Sequence, residues 1–330
     1  MLAVAVIIIV IAAAAILSSV LGLTGVSTAA VAGVPETVKI AYIPVVQALP
    51  LYLAVEKGYF AEAGIDAELV RIDAPNLIID SLISDKVDFA VAAASGITAI
   101  ANYRNPGKLE IFALIGGNDS TTNDLLLVRD DAGTASVTEL RGKNLGILPG
   151  IQFRTIARHI LAQSNMTLDD VTLVELAPAM QVQALAAGQI DALLTVEPAG
   201  TIVRTNGIGK DLIHAPMVQY ISNPWYGAVG VVRSDFAKVN PQATDRVIAV
   251  FDRTMKEIRQ NPDAANRYLE NYTALTDDLI PDVPLPIFKM YTEFDQADVN
   301  ALQKFFDIFT LYGVIDGEVD ASGMIYSNHV

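Results

Sequence analysis

The chain opens on an unbroken apolar run, residues 2–17, and carries no charged side chain before Glu36. A run without a polar face cannot be the buried stripe of a helix packed on a domain. Ser, Gly and Thr follow, and Ala30-Val31-Ala32 before Gly33 forms a small-x-small site. The pattern predicts an export signal over residues 1–32, cut near Gly33. A retained anchor is the alternative, because the charge-free stretch exceeds the ~20 residues that span a bilayer. No Lys or Arg precedes the run, so only the α-amino group supplies positive charge ahead of it. Either way the body of the protein is expected in the periplasm or another extracytoplasmic space.

Beyond residue 37 the pattern becomes short β-type runs alternating with helical periodicities, and it does so twice. The first unit spans residues 38–96 and the second 144–200. Each opens on a strand ending at a proline, 40–43 before Pro44 and 145–148 before Pro149. Each continues with a helical pattern, a β-rich run (67–72 and 171–176) and an Ala-Pro pair at 74–75 and 177–178. A second helix and an Asp-bearing strand (Asp88, Asp191) complete both. Pro149 lies 105 residues after Pro44, Pro178 lies 103 after Pro75, and Asp191 lies 103 after Asp88. Two unrelated βαβαβ units would not keep Pro, Ala-Pro and Asp in step, so the architecture is read as duplicated. Alternating strands and helices of this length make parallel sheets with helices on both faces.

Further strands are expected at 109–115, 124–128, 210–213, 218–221 and 226–232, and helices at 245–259, 262–271 and 299–312. Proline-rich 281–286 reads as a rigid loop. The resulting division places residues 38–125 and 226–330 in a discontinuous first lobe and 126–225 in a second. In open α/β sheets ligands bind beyond the carboxyl ends of the strands, where loops meet helix N-termini. Two such lobes facing each other would share one cleft, a clamp for a small molecule.

Composition narrows the chemistry. The 330 residues hold 22 Lys+Arg against 37 Asp+Glu, a formal charge of −15, and no cysteine. Disulfides, Cys-ligated metals and thiol nucleophiles are excluded, and a duplex nucleic-acid partner does not fit the acidic balance. Residues 126–225 carry 7 basic and 9 acidic groups, so most of the negative charge lies elsewhere. The three histidines (159, 214, 329) are scattered. No HExxH, P-loop or GxGxxG occurs. No catalytic residue, cofactor or metal ligand is therefore assigned.

Several segments carry a family resemblance. KIAYIP (39–44), LA (53–54) and EKGYFAEAGI (56–65) resemble the opening of the sulfonate/nitrate/taurine and thiamine-precursor branch of ABC-transporter substrate-binding proteins. ELRGK (139–143) is similar to that family's entry into the second lobe, and EPA (197–199) to its loop after the Asp-bearing strand. The likeness covers about residues 38–235. It implies a two-lobe periplasmic-binding-protein fold of the second type, each lobe a sheet flanked by helices with the ligand cleft between. It further implies an exported monomer that captures a small sulfonate-, nitrate- or taurine-like ligand. The partner would be an ABC permease served by a cytoplasmic ATPase. Alternatives are a thiamine-precursor pyrimidine or an aromatic acid as ligand, and an enzyme on the same fold. The family's enzymes of that kind depend on cysteine-bearing motifs absent here. A sensor module would need a signalling domain, which is not expected. One departure stands out: the second-lobe loop, Gly-Ser-rich in relatives, here reads PGIQFR (149–154).

Loop positions then nominate ligand-binding residues. Gln47 opens the first-lobe helix, to hold a polar head or merely to cap. Ser95 and Gly96 end the third strand, and Asn118 follows Gly116-Gly117 as a loop donor. Gln152, Phe153 and Arg154 open the second-lobe helix, where an Arg would join the helix dipole against an anion. Glu197 should face the cleft at the strand end equivalent to Ala94, with Arg154 as its partner, since a buried carboxylate needs one. Trp225 and Tyr226 lie at the return crossing and could form an aromatic wall.

Overall fold

A computed structural model describes residues 35–327. The export segment expected over 1–32 lies outside the described residues. The strands are β1 (Glu36–Tyr42), β2 (Ile65–Arg71), β3 (Phe89–Ala94), β4 (Leu109–Gly117), β5 (Asp124–Arg129) and β6 (Asn144–Ile147). They continue as β7 (Thr172–Glu175), β8 (Ala192–Val196), β9 (Gly209–His214), β10 (Trp225–Arg233) and β11 (Ile287–Met290). Two sheets result, ordered β11-β4-β10-β3-β1-β2 and β7-β6-β8-β5-β9. In the first, β1 is parallel to β2 and β3, whereas β10 runs antiparallel to β3 and β4. In the second, β6 is parallel to β7 and β8, whereas β5 runs antiparallel to β8 and β9. Without β11 the two orders superpose, β1 to β4 standing for β6 to β9. The antiparallel place is filled by β10 in one sheet and β5 in the other. The chain therefore crosses between sheets twice, and each crossing strand completes the sheet it enters.

The residues kept in step between the two units have identical jobs. Asp88 accepts the Lys39 amide N–H at 2.9 Å and donates its own amide to the Lys39 carbonyl. Asp191 accepts the Asn144 amide N–H at 2.9 Å and returns its amide to the Asn144 carbonyl in the same way. Each aspartate thus ties the entry of one parallel strand to the backbone of its neighbour. Pro75 and Pro178 begin the helices Pro75–Ile83 and Pro178–Ala186, where a missing N–H costs nothing and φ is already helical.

Both faces of the central strands of the second sheet, β5, β6 and β8, are buried, as their continuous apolar runs require. Leu125, Leu127 and Leu193 pack under one face with Leu185, Ile190 and Val203. Leu126, Val128 and Leu194 point the other way into the main core. In the first lobe the helix Pro241–Gln260 turns Val247, Phe251, Met255 and Ile258 inward at helical spacing. Phe251 meets Phe60 and Phe112 at ring separations of 5.7 and 5.3 Å. The helix Gln296–Leu311 starts at a reciprocal cap, Asp295 accepting from the Asp298 amide and Asp298 from the Asp295 amide. No helix among the described residues is long and apolar enough to cross a membrane.

Two expectations need correction. Residues 218–221 are not a strand: Pro216–Tyr220 is a short helix. Pro216 sets its first turn, and the Asp124 carboxylate accepts the Met217 amide N–H at 2.7 Å. A proline and an acidic acceptor at a helix start outweigh the local β-type composition. The helix expected over 262–271 ends earlier, at Asn266, and continues as a tighter turn over Arg267–Leu269.

Asp124 is fully buried, and its Oδ1 has no hydrogen-bond partner. Burial raises its carboxyl to about 6, against the pull of the Met217 amide. Folding therefore favours the protonated form, so this contribution is present at low pH and is lost as pH rises from about 4 through 6. Asp124→Asn keeps an oxygen for Met217 and cannot ionise. Urea denaturation of both proteins is expected to show the wild type losing up to about 3 kcal/mol relative to the variant over that range. Parallel pH profiles would refute the assignment.

Candidate functional site

The carboxyl ends of the strands converge on a small cavity of about 40 Å³ between the two sheets. Its wall comes from Ile43 after β1, Ala92 and Ala94 of β3, Ile115 and Gly116 of β4, Leu148 after β6 and Val196 of β8. Gln47, Asn123, Gln152, Phe153 and Trp225 are also in it. At Ala92, φ is +57° in the middle of a strand, and the β3–β10 register slips between Val229 and Val231. A non-glycine residue held there costs about 1–3 kcal/mol and re-aims the strand, a feature typical of binding sites.

Three of the wall side chains are buried without hydrogen-bond partners. Gln47 leaves Oε1 unpaired, Trp225 leaves Nε1 unpaired, and Asn123 leaves both amide atoms unpaired. Each is at most 4% exposed. Such groups cost about 1–3 kcal/mol apiece when nothing meets them. Donors and acceptors are both present, and every lining side chain is uncharged. Trp225 can lie there because Gly227 has no side chain: a Cβ on Gly227 would stand 1.9 Å from the indole. Asn123 is held by its backbone, its carbonyl accepting the Glu197 amide N–H at 2.9 Å.

The other nominated residues divide into latches and supports. Gln152 of the second lobe accepts the Gly96 amide N–H at 2.8 Å through Oε1 and donates Nε2 to the Gly227 carbonyl at 2.9 Å. Its amide is spent on joining the lobes. Gly96 is needed at that contact, since a Cβ would fall 2.2 Å from the Phe309 ring. Phe153 lies beside Gln152 in the cavity wall. Ser95 donates its hydroxyl to the Tyr226 carbonyl at 2.8 Å, and Tyr226 donates its own hydroxyl to Asp298 at 2.6 Å. Asp298 also takes Lys289, so Tyr226 braces the strand and forms no wall with Trp225. Asn118 closes a turn, its Oδ1 accepting the amides of Ser120 and Thr121.

Glu197 and Arg154 do not pair. Glu197 turns its carboxylate back into its own lobe, accepting from Arg204 at 2.7 Å and from the Thr201 amide at 2.8 Å. Arg204 lies two turns along the helix that begins just after Glu197, so it reaches this carboxylate without crossing the cleft. Burial raises the Glu197 carboxyl, opposed by the Arg204 charge and these hydrogen bonds. Arg154 is half-exposed and bonds Glu175 at 2.8 Å. The cleft-facing part of Glu197 is its carbonyl, which accepts the Val46 amide N–H at 3.4 Å.

A second, larger chamber of about 420 Å³ lies beyond the first. Val45, Leu148 and Val196 line both. Arg71, Pro178, Gln183, Asn271 and Tyr272 are among the residues bounding the outer chamber. Tyr272 stacks on Tyr52 at 4.2 Å. Asn123 and Arg71 went unnominated by the sequence. Their only signal was position: a polar residue just before an apolar crossing strand, and a cation at the end of β2.

Residues 46–265 match the NMT1/THI5-like family. The chain belongs to that family. A Brucella abortus protein, provisionally designated a binding protein, is 27% identical over 64% of this chain. The match spans 63% of that relative's own length. A pyrimidine phosphate synthase of Aspergillus parasiticus is 24% identical over 82% of this chain and 80% of its own. Among solved structures, the alkanesulfonate-binding protein of Xanthomonas axonopodis bound to MOPS superposes with a TM-score of 0.73. Its identity is 16%, and the superposition covers 88% of this chain and 98% of that one. The fold is therefore the two-lobe fold of periplasmic binding proteins.

On this NMT1/THI5-like scaffold, Gln152 joins the lobes. Gln152→Ala removes the two cross-cleft bonds of this side chain and leaves the Gly96 N–H and Gly227 carbonyl without them, a loss of about 1–3 kcal/mol for the closed arrangement. Small-angle scattering of the ligand-free variant is expected to show a larger radius of gyration than the wild type. Identical scattering would remove Gln152 as a latch.

Proposed function

We propose that the chain is the extracytoplasmic solute-binding protein of an ABC importer. It takes a small polar ligand between its lobes and hands it to a membrane permease driven by a cytoplasmic ATPase. The observation that carries this reading is the cavity wall, where Gln47, Asn123 and Trp225 offer buried, unpaired donors and acceptors to one small space. A ligand that supplies their partners offsets the cost of closing over them, which is how a clamp couples binding to closure. No residue of that wall titrates near neutral pH, so the site holds and orients but has no general acid or base to offer. The sulfonate-binding neighbour and the binding-protein designation of the Brucella relative agree with a carrier.

One ligand reading, a sulfonate-, nitrate- or taurine-like molecule, finds neutral donors in the Trp225 indole and the Asn123 amide but leaves the acceptors Gln47 Oε1 and Asn123 Oδ1 unmet by its anionic group. A second reading, a thiamine-precursor pyrimidine or aromatic acid, is favoured by the unpaired Gln47 Oε1 and Asn123 Oδ1, which ask for N–H groups. The Aspergillus relative's name points to the same chemistry.

The duplication also bears on the permease. Leu77 and Met180, 50% and 52% exposed, occupy the same third position of the two Ala-Pro helices, one on each lobe. A permease built of two like halves would meet one of them with each half.

Calorimetry of the exported protein against sulfonates, nitrate, taurine and pyrimidines is expected to give one site and no turnover. Asn123→Ala should weaken the bound ligand by about tenfold or more. Turnover of any member, or an affinity unchanged in Asn123→Ala, would contradict the reading.

A further inference from the structure

The two chambers differ in kind. The inner one is walled by neutral groups with unmet donors and acceptors, whereas the outer one is bounded by a single charged side chain, Arg71. We infer that the ligand is bipartite, its anionic end held by Arg71 in the outer chamber and a neutral, N–H-bearing head held by Gln47, Asn123 and Trp225 in the inner one. This rests on the carrier reading above and names the ligand class it leaves open.

The inner chamber argues against an anion. Both atoms of the Asn123 amide are buried and unpaired, so rotating the amide by a half-turn still leaves one donor and one acceptor to be met. A nitrate or sulfonate has no donor to give, and it would leave Asn123 Oδ1 and Gln47 Oε1 facing its own oxygens. Each acceptor left so carries a desolvation cost with nothing to offset it. A carboxamide, ureide or amino-heterocycle presents donor and acceptor side by side and satisfies both. An ionised head would also lose its hydration without meeting a charged side chain.

The outer chamber supplies what the inner one lacks. Asp73 accepts only from Nε of Arg71, at 2.9 Å, and both side chains are about half-exposed. An exposed pair of this sort is weak. The terminal nitrogens of the guanidinium are thus available for a bidentate bond to a carboxylate, sulfonate or phosphate at little cost. Val45, Leu148 and Val196 line both chambers, so the boundary a bipartite ligand would cross is apolar and suits a short hydrocarbon spacer.

The test uses the exported chain and three matched probe types in calorimetry: ω-amido acids (succinamate, glutaramate, adipamate), the corresponding diamides, and the corresponding simple monocarboxylates. One amido acid is expected to bind more tightly than its diamide and its monocarboxylate. Arg71→Gln should weaken that amido acid about tenfold or more and leave its diamide within about twofold. Asn123→Ala should weaken the amido acid and the diamide alike. Equal loss for all probes in Arg71→Gln, no loss for any, or no binding by the whole series would overturn the bipartite assignment. Taurine, nitrate and an aminopyrimidine are run beside them on wild type and Arg71→Gln. Binding of one of these without dependence on Arg71 keeps the carrier and removes the bipartite ligand. No binding by any compound removes both.

Discussion

Closing two lobes over Asn123 takes both polar atoms of its amide out of water without giving either a partner. Gln47 and Trp225 add two more such atoms to the same small space. Unpaired groups in a low-dielectric interior are expensive, so this closed arrangement works against itself wherever the cavity lacks a complementary guest. Opposing that cost are the Gln152 amide, which bonds both Gly96 and Gly227 across the cleft, and the apolar contact of Val45, Leu148 and Val196. Balanced terms of a few kcal/mol on each side are what a ligand-operated clamp requires, because a guest can then shift the population between open and closed.

The duplicated architecture is what places these groups. Each sheet is tied at its parallel strands by an aspartate that exchanges two hydrogen bonds with a neighbouring strand, Asp88 with Lys39 and Asp191 with Asn144. Each is completed by a strand arriving from the other half. Trp225 and Asn123 stand at those two arrivals: Trp225 is the first residue of β10, and Asn123 immediately precedes β5. The crossings that join the lobes therefore also carry polar groups of the cavity. Asp124, next to Asn123, anchors the short helix Pro216–Tyr220 from the same crossing.

Much of this was legible from spacing alone. The nearly constant offset of Pro, Ala-Pro and Asp between the halves exposed the repeat, and the Ala-Pro and Asp positions have backbone duties that the two units share. The cleft at the strand ends followed from sheet chemistry, and Gln47, Gln152, Phe153 and Trp225 all prove to line the inner cavity. Side-chain direction was not legible. Glu197 stood at a strand end but bends toward Arg204, a partner seven residues on, and Arg154 leans out to Glu175. Residues 218–221 read as β-type because valine and tyrosine favour strands, while the helix is set from outside by Asp124. Asn123 and Arg71 gave no motif, because their meaning comes from what surrounds them after folding.

Trp225 is the only tryptophan in the chain, so its indole N–H gives one resonance that reports directly on the inner cavity. The decisive measurement is a titration followed by that 1H–15N indole signal, alongside calorimetry on the same sample. The account predicts that any ligand bound at one-to-one stoichiometry moves the signal downfield as Nε1 gains an acceptor, saturating at the calorimetric equivalence point. A ligand that binds stoichiometrically and leaves the Trp225 signal unmoved would contradict it.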